Sequence, residues 1–158
     1  MKKISTNIKD AFIIEVDKFD DKRGFFMESF NQRKIDDLIG RYQFVQDNHS
    51  RSTKGVLRGL HYQVQHVQGK LVRCIQGSVY DVMVDIRKNS DTFGKWFGIE
   101  LNRPDLLVWI PPGLAHGFYT LSNTAEFQYK TTDYYDPESQ RSIIWNDKFL
   151  TNQYLKIY

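Results

Sequence analysis

His61 sits in the segment KGVLRGLHYQ, three residues after Arg58. Imidazole is the side chain whose ordinary pKa lies nearest neutrality, which suits it to moving protons. The arginine is a planar, permanently charged fork for phosphate or carboxylate. A proton mover beside an anion clamp points to an enzyme acting on a phosphorylated, weakly acidic substrate. A surface histidine on a strand fits the same segment, and both readings stand at this point. A second histidine, His116, lies in PPGLAHGF. Two prolines and two glycines restrict the backbone around it, so its placement is tightly set. Tyr129, in AEFQYKTTDYYDP, carries a phenol that can donate a proton or pack as a core aromatic.

Metal ligation is the rival use for the histidines. The residue two after His61 is Gln63, and the residue two after His116 is Phe118, so no His-x-His pair forms. His61 and His66 are five apart and fall on opposite faces of a strand. No metal site is expected from this set. His49 and His66 read as solvated loop histidines. No GxGxxG segment or P-loop occurs, so no dinucleotide cofactor is expected.

The elements that must position these groups read as β-structure. The chain has 158 residues, enough for one domain around one core. Aromatics make up 15% of it, which suits a β-rich core and an aromatic pocket lining. The net charge is +3 with scattered cations, which argues against a nucleic-acid partner. A cavity gathering Arg23, Arg58, Lys70 and Arg73 would suit a small polyanion better. The single cysteine, Cys74, reads as a buried, inert thiol in a reducing compartment. MKKISTNIKDAF holds no apolar core of a secretory signal, and no apolar run reaches bilayer length. The expectation is a cytoplasmic protein without membrane association.

Residues 31–40, NQRKIDDLIG, predict a helix capped by Asn31 and stopped by Gly40, with Ile35, Leu38 and Ile39 on one face. AFIIEV and FFMESF read as strands around a DDKRG turn. Beyond FVQDNHS come short runs broken by Gly, Pro, Asn and Asp: GVLRGLHYQ, KLVRCIQ, SVYDVMVDIR, WFGIEL, LVWIPP, HGFYTL, AEFQYKTTDYY and SIIW. Gly69, Gly77, Gly98, Gly113 and Gly117 fall where reversals would sit. This spacing predicts an all-β antiparallel sandwich of jelly-roll type with small peripheral helices. In SVYDVMVDIR, Tyr80, Val82, Val84 and Ile86 share one face and are assigned to the core. Val79, Asp81, Met83 and Asp85 share the other, which faces water or a polar cavity.

Taken together, DKRGFFMESF, FVQDNHSRSTKGVLRGLHYQ, QGKLVRCIQGSVYDVMVDIR, WIPPGLAHGF, QYKTTDYYDP and IIWND resemble the dTDP-4-dehydrorhamnose 3,5-epimerase family of nucleotide-sugar enzymes. The resemblance runs from about residue 10 to residue 147 and implies a cupin-type jelly roll. It further implies that His61 is the base that deprotonates carbon beside a 4-keto group and that Tyr129 is the acid on the opposite face. Lys70 matches the lysine that stabilises the enolate oxygen. Arg23, Glu28, Gln46, Asn48 and Arg58 match positions that hold the nucleotide and diphosphate. His116 matches a histidine facing the substrate, Tyr135 matches the aromatic that stacks on thymine, and Phe26 or Phe25 would flank that ring. Gln140 stands where the family often has Glu near the nucleotide. A homodimer is expected by family analogy, and no cofactor is implied, because the ketone already acidifies its neighbours.

Family members normally continue past the point where this sequence ends at Tyr158, and an aspartate there commonly pairs with the catalytic histidine. On that ground the chain reads as one jelly-roll domain, 1–158, without that tail, and Asp81, or else Asp85, is expected to orient His61. The implied activity is inversion of carbons 3 and 5 of dTDP-4-keto-6-deoxyglucose on the way to dTDP-L-rhamnose or a related deoxysugar. The alternatives are epimerisation at one carbon, ketoisomerisation, or nucleotide-sugar binding without catalysis.

Overall fold

Alternating side chains along consecutive strands build two facing sheets. In chain order the strands are β1 (Lys2–Ser5), β2 (Phe12–Glu15), β3 (Lys18–Asp21) and β4 (Gly24–Met27). After helix α1 (Gln32–Ile39) come β5 (Gln46–Thr53), β6 (Leu57–Gln63), β7 (Lys70–Gln76), β8 (Val79–Asp85) and β9 (Trp96–Leu101). β10 (Leu106–Ile110), β11 (Leu114–Thr120), β12 (Thr124–Thr131) and β13 (Gln140–Ser142) complete the series. The computed structural model describes residues 1–148. One sheet runs β1-β2-β10-β7-β12-β5, the other β13-β6-β11-β8-β9, and β3-β4 is a separate hairpin. Pairings within the sheets are antiparallel, so the predicted sandwich is the observed architecture. No described helix is long and apolar enough to cross a membrane.

The space between the sheets divides into an apolar part and a polar part. Val72, Cys74, Val108, Ile110 and Phe127 from one sheet meet Val79, Met83, Leu101, Leu114 and Phe118 from the other. Phe127 stacks on Phe118 with ring centroids 4.4 Å apart. Cys74 is buried there, and burial pushes its thiol up to about 11, in keeping with the inert reading. Outside the six-stranded sheet, Ile35 of α1 packs on Ile14, Leu71 and Trp109. The helix is bounded as its sequence predicts. The Asn31 side chain accepts from Lys34 N–H at 3.3 Å, and Gly40, at φ 91°, donates its N–H to Asp36.

Several expectations are corrected. In β8, Val79, Asp81, Met83 and Asp85 form the inward face and are all buried; of the set assigned to the core, Val84 is buried in a second cluster with Leu60 and Ala115, while Tyr80, Val82 and Ile86 are only partly covered. Two carboxylates sit inside because each has hydrogen-bond partners there, which removes the usual cost of burial. Gly98 and Gly117 lie within strands, not at reversals. A Cβ at Gly117 would come 2.6 Å from the Arg58 carbonyl oxygen and 2.8 Å from Gly59 Cα. The glycine there lets β6 and β11 approach. SIIW is not a strand of its own; β13 ends at Ser142, Ile143 still exchanges backbone hydrogen bonds with Leu60 of β6, and Ile144 and Trp145 are exposed. The N-terminal strand β1 went unforeseen because its residues are exposed and carry no alternation.

Asp85 anchors one end of the inner face. It accepts from Arg87 Nε at 3.0 Å, Ser90 Oγ at 2.6 Å and Thr92 Oγ1 at 2.6 Å. Burial pushes its carboxyl up, but the bonds from Arg87, Ser90 and Thr92 outweigh burial and hold it well below the usual carboxylate range. A depressed folded pKa stabilises the protein above the unfolded value, and that stabilisation drains as pH falls towards the folded one. Asp85→Asn is expected to cost about 3–5 kcal/mol, since it breaks a buried ion pair. Urea melts at neutral pH and near pH 3 check this: the gap between variant and parent should narrow in acid.

Candidate active site

A cavity of about 530 Å³ opens between the sheets, beside the apolar core. β6 supplies Arg58 and His61, and β11 supplies His116. From the facing sheet, β5 supplies Asn48 and Ser50, β7 supplies Lys70, and β12 supplies Tyr129. Strand parity accounts for this set. Lys70 shares the inward face with Val72 and Cys74, and Tyr129 shares it with Phe127. His61 and Tyr129 therefore line one compartment from opposite walls, with the Lys70 ammonium on the Tyr129 wall.

The titration of the three groups fits proton transfer. Burial lowers the His61 imidazole, and the nearby Lys70 and His116 lower it further. The ring is thus neutral at pH 7 and able to accept a proton. Burial raises the Tyr129 phenol, with Arg58 opposing and Tyr135 adding to the rise, so it keeps its proton to donate. Burial lowers the Lys70 ammonium to about 8, while the charge of Asp81 supports it. A weakly solvated ammonium stabilises an oxyanion more strongly than one in water.

Other predicted residues divide into those at the cavity and those away from it. Arg58 lines it and donates Nε–H to Ser52 Oγ at 2.9 Å. Asn48 lines it and accepts from Gln46 Nε2 at 2.9 Å; Gln46 in turn accepts the Tyr135 backbone N–H at 3.1 Å. Tyr135 itself is 53% exposed. Gln140 reaches the rim from the edge strand β13. Arg23, Phe26 and Glu28 do not line this cavity. Arg23 pairs with Asp21 within its own turn, Glu28 pairs with Lys34 at 2.8 Å, and Phe26 is 70% exposed. Arg73 bonds Gln128 at 2.9 Å on the opposite side of β7 from Lys70.

The expected pairing of Asp81 with His61 is not what forms. Asp81 Oδ2 accepts from His116 Nε2 at 2.7 Å. In the sheet, β11 lies between β6 and β8. Strands two apart are separated by about 10 Å, beyond hydrogen-bond reach, so Asp81 meets His116 first. Asp85 is likewise committed to Arg87. His49 lies on β5 rather than in a loop, and its ring meets Glu126 at 3.0 Å. His66 does lie in a loop, 3.5 Å from Asp133. Sequence reading missed Ser50 and Phe127 as lining residues. Alternation along β5 and β12 is the signal that places both on the inward face.

A sequence profile described as dTDP-4-dehydrorhamnose 3,5-epimerase matches residues 5–157. This chain belongs to the dTDP-4-dehydrorhamnose 3,5-epimerase family. It is 57% identical to the family enzyme of Shigella flexneri over 151 residues, which cover 94% of this chain and 83% of that protein. Among solved structures it resembles the 3,5-epimerase of Legionella pneumophila, determined with dTDP-4-keto-L-rhamnose. The TM-score there is 0.93 at 52% identity, covering 97% of this chain and 82% of the other. A 3'-monoepimerase from Streptomyces bikiniensis, determined with dTDP-quinovose, stands further off at 30% identity and TM-score 0.82, covering 87% and 71%.

Proposed function

We infer that the protein is a dTDP-4-dehydrorhamnose 3,5-epimerase acting in dTDP-L-rhamnose biosynthesis. The observation that carries this is the cavity itself: an imidazole and a phenol on opposing walls, with Lys70 lining the same cavity from the Tyr129 wall. In this reading His61 takes the proton from the carbon beside the ketone. The electron pair moves onto the carbonyl oxygen, where Lys70 stabilises the enolate. Collapse of the enolate takes a proton from Tyr129 on the other face, and the carbon is inverted. The ring proton moves to the protein and a protein proton moves to the sugar, so the sugar is unchanged in composition. The step repeats at the second carbon flanking the ketone. Arg58 and Asn48 would face the diphosphate and nucleoside, with Tyr135 at the open end for the base.

Tyr129→Phe separates the two halves of this reaction. In deuterated water, with dTDP-4-keto-6-deoxyglucose followed by NMR, the parent is expected to exchange carbons 3 and 5 and invert both. The variant should still exchange, because the base remains, while inversion falls by about a hundredfold. Exchange at one carbon in the parent would favour a monoepimerase. Binding without any exchange would leave a nucleotide-sugar binding protein. The much higher identity to 3,5-epimerases than to the monoepimerase supports the double reaction.

The reading extends to a homodimer in the cytoplasm. Arg23, Phe26 and Glu28 match nucleotide-binding positions yet stay clear of their own chain's cavity. Their hairpin exposes Phe19, Phe25 and Phe26 together. A second copy would cover these rings and receive the hairpin at its nucleotide end. Sedimentation equilibrium should return twice the chain mass; a monomer that is fully active would remove this part of the reading.

A further inference from the structure

Two imidazoles stand side by side in the cavity, and their surroundings differ. His61 and His116 are register partners on β6 and β11. The next strand, β8, carries Asp81 opposite Phe118, on the same face as Met83 and so diagonal to His116. His116 and Asp81 are 7% and 2% exposed and 2.7 Å apart. A carboxylate can only accept, so the contact requires a proton on His116 Nε2. The Phe127 ring lies along the His116 ring at an interplanar angle of 21°. His116 is therefore held at its edge and along its face. Among the described residues, none hydrogen-bonds the His61 ring.

We propose that Asp81 is a positioning residue that locks His116 in the form protonated at Nε2, so that Nδ1 carries the lone pair of this second cavity imidazole beside the base His61. This rests on the reading of His61 as the base. A carboxylate that holds one ring nitrogen fixes the tautomer and orientation of the imidazole and raises the basicity of the other nitrogen. Asp81 also has no other described hydrogen-bond partner, so its burial is explained by this one bond. The carboxylate expected on His61 thus serves its neighbour, with a different consequence for the chemistry.

The experiment uses the full-length protein labelled with ¹⁵N histidine. In the free parent, the ¹⁵N signals should place a proton on His116 Nε2. A His116 ring protonated only at Nδ1 would overturn the proposal, whether or not any variant folds. In Asp81→Asn the fixed signal should be lost. Its kcat for deuterium exchange should fall by about 10–100-fold, the usual cost of removing a histidine's orienting partner, with KM nearly unchanged. In a His116→Gln background, Asp81→Asn should add less than about twofold, because its effect passes through the missing ring. Effects that multiply in the double variant, or an unchanged tautomer and rate in Asp81→Asn, would overturn the assignment. A parent that exchanges no substrate protons would instead count against the epimerase reading, leaving the tautomer measurement intact.

Discussion

His61→Asn is expected to lower kcat for epimerisation by about 10²–10⁴-fold, the range a positioned general base contributes. The variant keeps a side chain of similar reach in the same strand, so substrate binding should change little. A fall in kcat and kcat/KM together, with the dissociation constant for dTDP held, is the signature of a group used in the transition state. Deuterium exchange at carbons 3 and 5 should disappear with turnover. That separates His61 from Tyr129, whose loss leaves exchange in place. Stability should hold, because no described side chain depends on the His61 ring for a hydrogen bond. Full exchange in His61→Asn would mean that another group removes the proton, and His116 would be the first to examine.

Lys70→Met is expected to cost about a hundredfold or more in kcat, the usual price of losing a donor to a developing oxyanion. The pH profile makes the prediction sharper. In the parent, kcat/KM should fall below the His61 pKa, which lies under the ordinary value of 6.5. It should fall again above about 8, where Lys70 loses its proton. In Lys70→Met the alkaline limb at about 8 should vanish. The acid limb should move up, because the charge of Lys70 is one of the causes that lower His61. The melting temperature at pH 7 should rise. A lysine whose folded pKa lies below its unfolded value destabilises the fold wherever it is charged, and methionine fills similar volume without that cost. Lost activity with gained stability is what a group retained for chemistry produces. A variant that keeps its alkaline limb would place the titration on another residue.

The sandwich was legible because its strands are short, alternate in polarity, and are punctuated by Gly and Pro. β7 and β9 span the segments read as KLVRCIQ and WFGIEL. α1 was legible because its cap, apolar face and stop are all local signals. β1 was not, since an exposed edge strand carries no burial pattern. The direction of Asp81 was left open between water and a polar cavity for a related reason. A carboxylate on a strand is solvated unless a partner meets it inside, and the partner, His116, is 35 positions away in the chain.

The order of segments along the chain was enough to specify the family, the fold, and which residues share a face of each strand. The pattern of side chains every second position is written into the chain itself. Which strands lie next to one another was decided only by the folded sheets. Inserting β11 between β6 and β8 puts His116 between His61 and Asp81, and a hydrogen bond reaches one strand over but not two. Placing β3-β4 outside both sheets likewise separates Arg23, Phe26 and Glu28 from their own chain's cavity. Contacts of this kind depend on distances between segments that the linear order does not contain.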